Sequence, residues 1–460
     1  MSGFHEALLD ELPAGWRADR MGNVADILFS NVDKHTFESE VPVRLCNYVD
    51  VYKNDRITSS INFMEASAEP REIARFQIKK GDVLATKDSE TPDDIAIPAL
   101  VAEELPGVLC GYHLALIRPL RHKIHGEYLA WLHCSKYFRS HYETQAVGVT
   151  RFGLSQNAFK EARVPLPSLP EQQRIAAYLD ASCAAIDAAV SAKRSQIETL
   201  AHLRENIIQK VVTQGLDPLA KTRPSGVSWL GAIPKHWQDG NLKRYAKRIQ
   251  TGLTPPTDTP EYYEDGTIPW FAPGSFESQI ELTEPRKLIN ELALSDGVLR
   301  MFPAQSVFVI GIGATIGKVG VIAEAASCNQ QIIGIVCDHR MLPRFLAYQM
   351  KIYEVVIPGI CVATTLPIFN QVQIGSLPVV APPVAEQQAI CDYIDTKLSE
   401  SNKVVGVLEA QISTLTAYRK SLIHECVTGQ RRITEADLRA IQKRTARMTP
   451  ESAISSSSPA

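Results

Sequence analysis

The run richest in chemically suggestive residues is Ile310-Gly311-Ile312-Gly313-Ala314-Thr315-Ile316-Gly317-Lys318. Glycines beside a lysine are the material of a phosphate cradle, where backbone N–H groups and an ammonium converge on one anion. The spacing fails that chemistry. A Walker A loop needs glycine, four residues, then Gly-Lys-Ser/Thr, but Ile312 stands at the first glycine and Val319 follows the lysine. The dinucleotide fingerprint fails as well, with Ile316 at its third glycine. A glycine-rich β-turn accounts for the run better. An amino-methyltransferase would need Asn/Asp/Ser-Pro-Pro-aromatic, and neither Thr254-Pro255-Pro256-Thr257 nor Ala381-Pro382-Pro383-Val384 qualifies. A common metal-dependent nuclease needs Pro-Asp and then acid-x-Lys. The acid-x-Lys present, Asp395-Thr396-Lys397, sits in a helical stretch without a suitable upstream acid. There is no Gly-x-Ser-x-Gly elbow and no His-Glu-x-x-His helix. His113 and His236 are scattered, and nine cysteines include no C-x-x-C pair, so a zinc site is not expected. The sequence therefore offers no catalytic, cofactor-binding or metal-ligating set.

What the chain does repeat is an element that positions things. Leu169 to about Gly215 returns as Val384 to about Gln430. Glu171-Gln172-Gln173 becomes Glu386-Gln387-Gln388, and the same offset of 215 residues carries Ile175 to Ile390, Tyr178 to Tyr393, Asp180 to Asp395 and Arg204 to Arg419. Both copies read as long helices. In the first, Cys183, Ile186, Val190, Lys193, Ile197, Leu200, Arg204, Ile207 and Val211 alternate at spacings of three and four. The second row is Leu398, Ser401, Val405, Leu408, Ile412, Leu415, Arg419, Leu422 and Cys426. That alternation is a coiled-coil seam, too narrow for a helix to bury alone. The economical arrangement is antiparallel packing of one copy on the other about a pseudo-twofold axis. A purely structural arm is the competing reading, but it needs no identical Glu-Gln-Gln opening behind proline-rich segments.

Length and composition bound the rest. A chain of 460 residues is long enough for two or three domains. At 45% apolar and 22% charged it has the composition of an ordinary globular protein. No apolar run reads as a transmembrane helix, and MSGFHEALLDELPAGW is too acidic for a secretory signal. Scattered thiols fit a reducing, cytoplasmic location. A net charge of −3 excludes a uniformly cationic nucleic-acid binder but leaves room for local basic faces.

In chain order, residues 1–168 make a first globule, with β-like runs at Val41–Tyr52, Ala74–Thr86 and Gly107–Arg118 and a helix at Gly126–Tyr142. Helix 169–215 follows, then a linker at 216–232. A second globule at 233–383 repeats the plan. Ile233 to Trp237 echoes Leu12 to Trp16, Arg300–Ile310 echoes Ala74–Thr86, Cys328–Cys337 echoes Cys110–Arg118, and Pro343–Tyr353 echoes the helix. Helix 384–430 and a basic, partly disordered tail at 431–460, opening on a helix cap at Thr434, complete the chain. The expected fold is α+β: two mixed α/β globules separated by two long helices in an antiparallel coiled coil, with an internal repeat.

Two globules on a shared spacer suit the reading of two half-sites on duplex DNA. The basic and aromatic stretches Arg118–Lys123, Thr150-Arg151-Phe152 and Lys243–Arg248 could meet phosphates, though each alone could be a solvated face.

With these residues in place, the chain resembles the specificity subunit of type I restriction-modification enzymes over residues 10–430. The resemblance rests on the repeated proline-led Glu-Gln-Gln openings, on Ser225-Gly226-Val227-Ser228-Trp229-Leu230-Gly231 leading into Ile233-Pro234, and on Gly313 to Lys318 followed by Asn329-Gln330-Gln331. Residues 167–171 carry an extra proline in the pattern. The resemblance implies two target recognition domains that read a bipartite double-stranded DNA target, with the helices as ruler. It implies two methylation subunits carrying S-adenosylmethionine, restriction subunits carrying ATP and Mg, and a chain with no active site or cofactor of its own. Base or phosphate contacts are expected at Lys87, Ser89, Thr91, Thr150 and Arg151 in the first globule, and at Thr254, Thr315, Lys318, Gln330, Thr364 and Thr365 in the second. Glu171, Gln172, Gln173, Arg204, Glu386, Gln387, Gln388 and Arg419 are expected at the coiled coil and subunit interface. A fused methylase–nuclease partner, or a protein scaffold without DNA specificity, are the other readings.

Overall fold

The computed structural model describes residues 12–227, 230–276, 280–360 and 368–448, with side chains omitted at 358–360 and 446–448. Two compact units result, each joining one globule to parts of both long helices: residues 1–193 with 409–460, and residues 194–408. The helices span Leu169–Gln214 and Val384–Val427.

In the first unit a five-stranded sheet runs in the order Ala25–Phe29, Leu114–Pro119, Val83–Thr86, Pro98–Val101, Arg56–Ile57, antiparallel except for its last pair. In the second unit the order is Ala246–Thr251, Ile332–Cys337, Val307–Ile310, Val319–Ile322, Glu281–Leu282, again with only the last pair parallel. The topology is duplicated even though the strand sequences are not. In each unit a further strand pair brings the entering and leaving segments together, Arg17–Arg20 with Arg163–Leu166 and Gln238–Asn241 with Pro378–Ala381. The Pro-x-x-Trp motifs make the same turn, Trp16 N–H to Pro13 and Trp237 N–H to Pro234 carbonyl.

Several sequence expectations change in detail. Val41–Tyr52 is a strand only to Cys46; Asn47 and Asp50 then form a capping box that starts helix Tyr48–Lys53. Ala74–Thr86 ends a helix, Pro70–Phe76, before strand Val83–Thr86 begins. The helix at Gly126–Tyr142 is two, Gly126–His133 and Lys136–Gln145, because Ser135 caps the second through the Phe138 N–H. Residues 216–232 are more than a linker. Thr222–Pro224 pairs with Ala232–Pro234, and Val227 and Leu230 enter the second unit's core. The tail docks on the first unit: Ile433 is buried, Arg431 donates to the Tyr178 hydroxyl, and helix Glu435–Met448 packs Leu438 and Ile441 on the core. Thr434 and Asp437 cap that helix.

The seam is visible in burial. From 193 to 207, Lys193, Ile197, Leu200, Arg204 and Ile207 are half-buried and their neighbours exposed; from 401 to 419, Ser401, Val405, Leu408, Ile412, Leu415 and Arg419 are likewise covered. The packing is antiparallel within each unit. In the first, Asp187 meets Arg419 and Lys193 meets Gln411. In the second, Arg204 meets Ser401, with Ile208 and Val211 sharing a core with Ile390 and Leu398. The first long helix is apolar enough over one window, at a mean hydropathy of 1.3, to pass a length-and-composition test for a membrane span, contrary to the sequence expectation. Its stripe Ile175, Leu179, Cys183 and Ile186 is instead spent in the first unit's core.

Candidate nucleic-acid interface

In the first unit, the loop between strands Val83–Thr86 and Pro98–Val101 carries Lys87 to Thr91. A three-stranded sheet joins it to the hairpin that carries Thr150 and Arg151: Val147–Gly148 pairs with Phe152–Gly153, which pairs with Asp88–Ser89. Leu154 N–H to the Lys87 carbonyl, at 2.8 Å, continues the ladder. Two segments some sixty residues apart in sequence thus become one surface. The hairpin turn is tight, since a Cβ on Gly148 would lie 2.0 Å from the Arg151 carbonyl oxygen. Its tip is exposed, Val149 at 92% and Val147 at 79%.

Beside the hairpin lies a cleft of about 500 Å³ bounded by Tyr48, Tyr52, Asp88, Ser89, Glu90, Thr91, Asp94, Thr150 and Arg151. Tyr48 and Tyr52 stack with centroids 5.6 Å apart. Arg151 Nη2 donates to Asp88 Oδ1 at 2.6 Å, while Asp88 Oδ2 holds His113 Nδ1 at 2.9 Å. The Tyr52 hydroxyl donates to Asp94 at 2.8 Å, which raises that phenol above its ordinary range. Burial, helped by Asp94, raises Tyr48. Asp88, Glu90 and Asp94 against Arg151 make the cleft unwelcoming to a phosphate.

The structure separates the expected contact residues. Thr91, Thr150 and Arg151 are exposed at the cleft. Ser89 is mostly buried in the small sheet but still forms part of the cleft wall. Lys87 is half-buried, its Nζ 4.5 Å from the Tyr112 ring centre and 5.3 Å from that of Phe29. Those two cation–π contacts hold it rather than leave it reaching. Asp88, His113, Tyr48 and Tyr52 were missed by sequence reasoning. Asp88 meets Arg151 across 63 positions, and no local spacing signals such a pair.

The second unit uses the equivalent hairpin. Gly311 to Lys318 joins strand Val307–Ile310 to strand Val319–Ile322, with Gly313 and Gly317 at φ +110° and +89°. No helix follows directly, so the run is the turn that the failed motif spacing implied. Phe369 N–H bonds to the Gly311 carbonyl at 2.8 Å, as Leu154 does to Lys87. Thr315 is exposed on this turn. Exposed Thr254 donates through Oγ1 to Gln330 Oε1. Lys318 is half-buried and points its ammonium at the Phe276 carbonyl, 3.4 Å away, which counts against a free DNA contact. Thr364 and Thr365 lie outside the described residues.

Beside Thr150–Phe152, the other two basic stretches are spent internally only in part. Arg118 binds buried Asp82 at 2.7 Å and the Gln77 carbonyl, and Lys123 caps the Asn23 carbonyl. Arg248 donates to the Met301 carbonyl and lies over Phe302. Arg121, Lys243, Arg244 and Lys247 are exposed, as Arg151 is.

Among the residues expected at a subunit interface, Gln172 and Gln387 are fully buried and serve their own units. Gln172 accepts from His125 N–H and donates to the Lys123 and Pro167 carbonyls. Glu171 is nearly buried against Arg432 at 2.9 Å. Glu386 accepts from Trp237 Nε1 and from His236. Arg204 and Arg419 lie in the seam. Gln173 and Gln388 are the exposed members of the motif.

Comparison with known proteins now places these features. The family described as type I restriction modification DNA specificity domain matches residues 24–199 and 234–408, one copy in each half. A putative type I restriction enzyme MjaX specificity subunit of Methanocaldococcus jannaschii is 20% identical over 94% of this chain and 97% of its own length. The MjaIX specificity subunit of the same organism is 23% identical over 67% and 70%. In fold, a chain from a structure describing complex assembly and conformational transition of the type I R-M system covers 91% of this chain and 98% of its own, at 18% identity and a TM-score of 0.71. The HsdS subunit from Thermoanaerobacter tengcongensis covers the same shares at 19% identity and 0.55. Two matched domains spanning most of the sequence, on a duplicated fold, mean that the chain belongs to the family of type I restriction-modification DNA specificity proteins.

Proposed function

We propose that this chain selects a bipartite double-stranded DNA target for a type I restriction-modification enzyme, each globule reading one half-site. The observation that carries the reading is the duplicated five-stranded sheet with different side chains on the equivalent hairpin loops, 87–97 in one unit and 311–318 in the other. A constant frame with variable loops is how one scaffold reads two unlike sequences. Thr91, Thr150 and Arg151, and Thr254, Thr315 and Gln330, are the contact residues this reading retains.

The chain would contribute no cofactor site. Adenine methylation, with S-adenosylmethionine, would come from two methylation subunits, and ATP- and Mg-dependent cleavage from restriction subunits. Support for protein partners comes from apolar residues left uncovered on the helices, such as Leu203, Val404 and Val407 in the second unit and Tyr418 in the first. Exposed Gln173 and Gln388 could join such a contact. Cytoplasmic DNA is the expected substrate.

The test is single-molecule methylome sequencing of a host expressing this chain with its methylation subunit, beside a host with that subunit alone. A two-part methylated motif seen only with this chain is the expected result. A stable complex without a new motif would favour a protein scaffold, and a partner carrying its own nuclease domain would favour the fused methylase–nuclease arrangement.

A further inference from the structure

The first unit contains a side-chain relay that none of the comparisons assigns. Arg151 stands in the turn of the exposed hairpin, 59% of its side chain open to solvent. Asp88 is only 16% exposed and engages two partners at once, Arg151 Nη2 at 2.6 Å and His113 Nδ1 at 2.9 Å. The carboxylate is held by His113, whose Nδ1 also lies 3.4 Å from Arg151 Nη2, and its backbone by the strand pairing of Asp88 with Gly153. It therefore holds one corner of a planar guanidinium in a set orientation.

An arginine so held loses less side-chain freedom on binding, and with 59% of the side chain open its planar fork keeps N–H donors for a ligand. Two ligand groups match that fork, a phosphate and the O6/N7 edge of guanine. The surroundings decide between them. Glu90 and Asp94 border the same cleft, so a phosphate there would face carboxylates, whereas a neutral base edge would not. The hairpin also carries apolar Val149 at its tip, as fits insertion into a groove rather than a grip on the backbone.

We propose that Arg151, oriented by Asp88, reads a guanine in the half-site of the first globule. Arg151 is the specificity-determining residue and Asp88 a positioning residue. The inference rests on the DNA-specificity reading above and names the base chemistry of one of its sites.

The experiment is methylome sequencing with the wild-type chain, Arg151→Gln and Asp88→Asn, each co-expressed with the methylation subunit, together with DNA affinity of each complex across a salt series. In the wild type the first globule's half-site should contain a guanine that both variants relax, with discrimination at that single position falling roughly tenfold to a hundredfold. The second half-site should stay strict, which also shows that the variant complex is folded. Asp88→Asn keeps the shape of the side chain, so its effect reports on charge and orientation. An unchanged motif in both variants would overturn the assignment. So would weaker binding at every sequence with a salt slope shallower by about one, the signature of a lost phosphate contact. A wild-type complex that is stable yet yields no motif would instead remove the DNA-specificity reading itself.

Discussion

Gln172 and Gln387, 215 residues apart in sequence, make the same three hydrogen bonds in their respective units. Gln387 Oε1 accepts from Leu342 N–H at 2.7 Å, and its Nε2 donates to the Arg340 and Pro382 carbonyls at 2.7 and 2.8 Å. Each glutamine ties the first turn of a long helix to the segment preceding its globule's helix and to the proline-rich strand exit. That is why the motif repeats when the globules have diverged. Removing the side chain strands one buried and two part-buried backbone groups, each worth about 1 kcal/mol. Gln387→Ala should therefore cost about 3 kcal/mol, whereas Gln388→Ala, whose side chain is exposed, should stay within about 0.5 kcal/mol. Urea unfolding of the two variants checks this; equal costs would show that the three bonds add no net stability.

The two seam arginines, equivalent in sequence, are not equivalent in energy. Arg419 bonds Asp187 at 3.1 Å, approaches Asp55 at 3.6 Å and covers the Trp131 ring. Arg204 meets only the Ser401 hydroxyl at 2.6 Å, and its Nη2 is buried without a hydrogen-bond partner among the described residues. Burying an unpaired donor costs free energy, so Arg204→Leu should be neutral or stabilising by about 1 kcal/mol. Arg419→Leu should destabilise by about 1 kcal/mol, a modest value because Asp187 and Asp55 are well exposed and solvent screens them. The denaturation midpoint should fall for Arg419→Leu and hold or rise for Arg204→Leu.

Acid should weaken the first unit before it reaches the carboxylate range. His133 is buried, its Nδ1 donating to the Leu129 carbonyl at 2.8 Å and its Nε2 accepting from the Tyr142 hydroxyl at 3.1 Å. Burial pushes its pKa down to about 4. His141 shifts in the same direction, also through burial. Because the folded value lies below the unfolded one of about 6.5, the unfolded chain binds the proton first. Stability is thus full above about pH 6.5 and falls as pH drops from there toward 4. Thermal melts between pH 4 and 7 should show this slope, and His133→Phe should make it shallower. A slope unchanged by the substitution would place the titration elsewhere.

Much of the frame was legible in the sequence because it is periodic. The seam residues Ile197, Leu200, Leu408 and Ile412 follow a three-four rule that needs no knowledge of the globules, and they are the covered positions. The strand at Leu114–Pro119 was legible for the same reason, as a continuous apolar run. The recognition surface was legible only in part. Thr150 and Arg151 show as a polar turn between apolar segments, but their meeting with Asp88 depends on a strand pairing between distant segments. Arg118 looked like a phosphate contact because its acid, Asp82, lies 36 positions away. A basic run in sequence does not show which of its charges are already paired.

The hairpin that carries Arg151 allows a backbone test free of side-chain chemistry. A methyl group on Gly148 would sit 2.0 Å from the Arg151 carbonyl oxygen, and main chain cannot yield as a flexible side chain can. On Gly153, at the other end of the same hairpin, it would meet nothing nearer than the Lys87 carbonyl oxygen at 4.0 Å. Gly148→Ala must therefore open the turn and turn Arg151 away from Asp88, while Gly153→Ala leaves both in place. The hairpin tip is exposed and adds little to the core, so global stability should change by less than about 1 kcal/mol in either variant. Methylome sequencing should then show Gly148→Ala relaxing the first half-site as Arg151→Gln does, and Gly153→Ala matching the wild type. Relaxation by both glycine variants would mean that the whole small sheet, rather than the orientation of Arg151, sets the specificity.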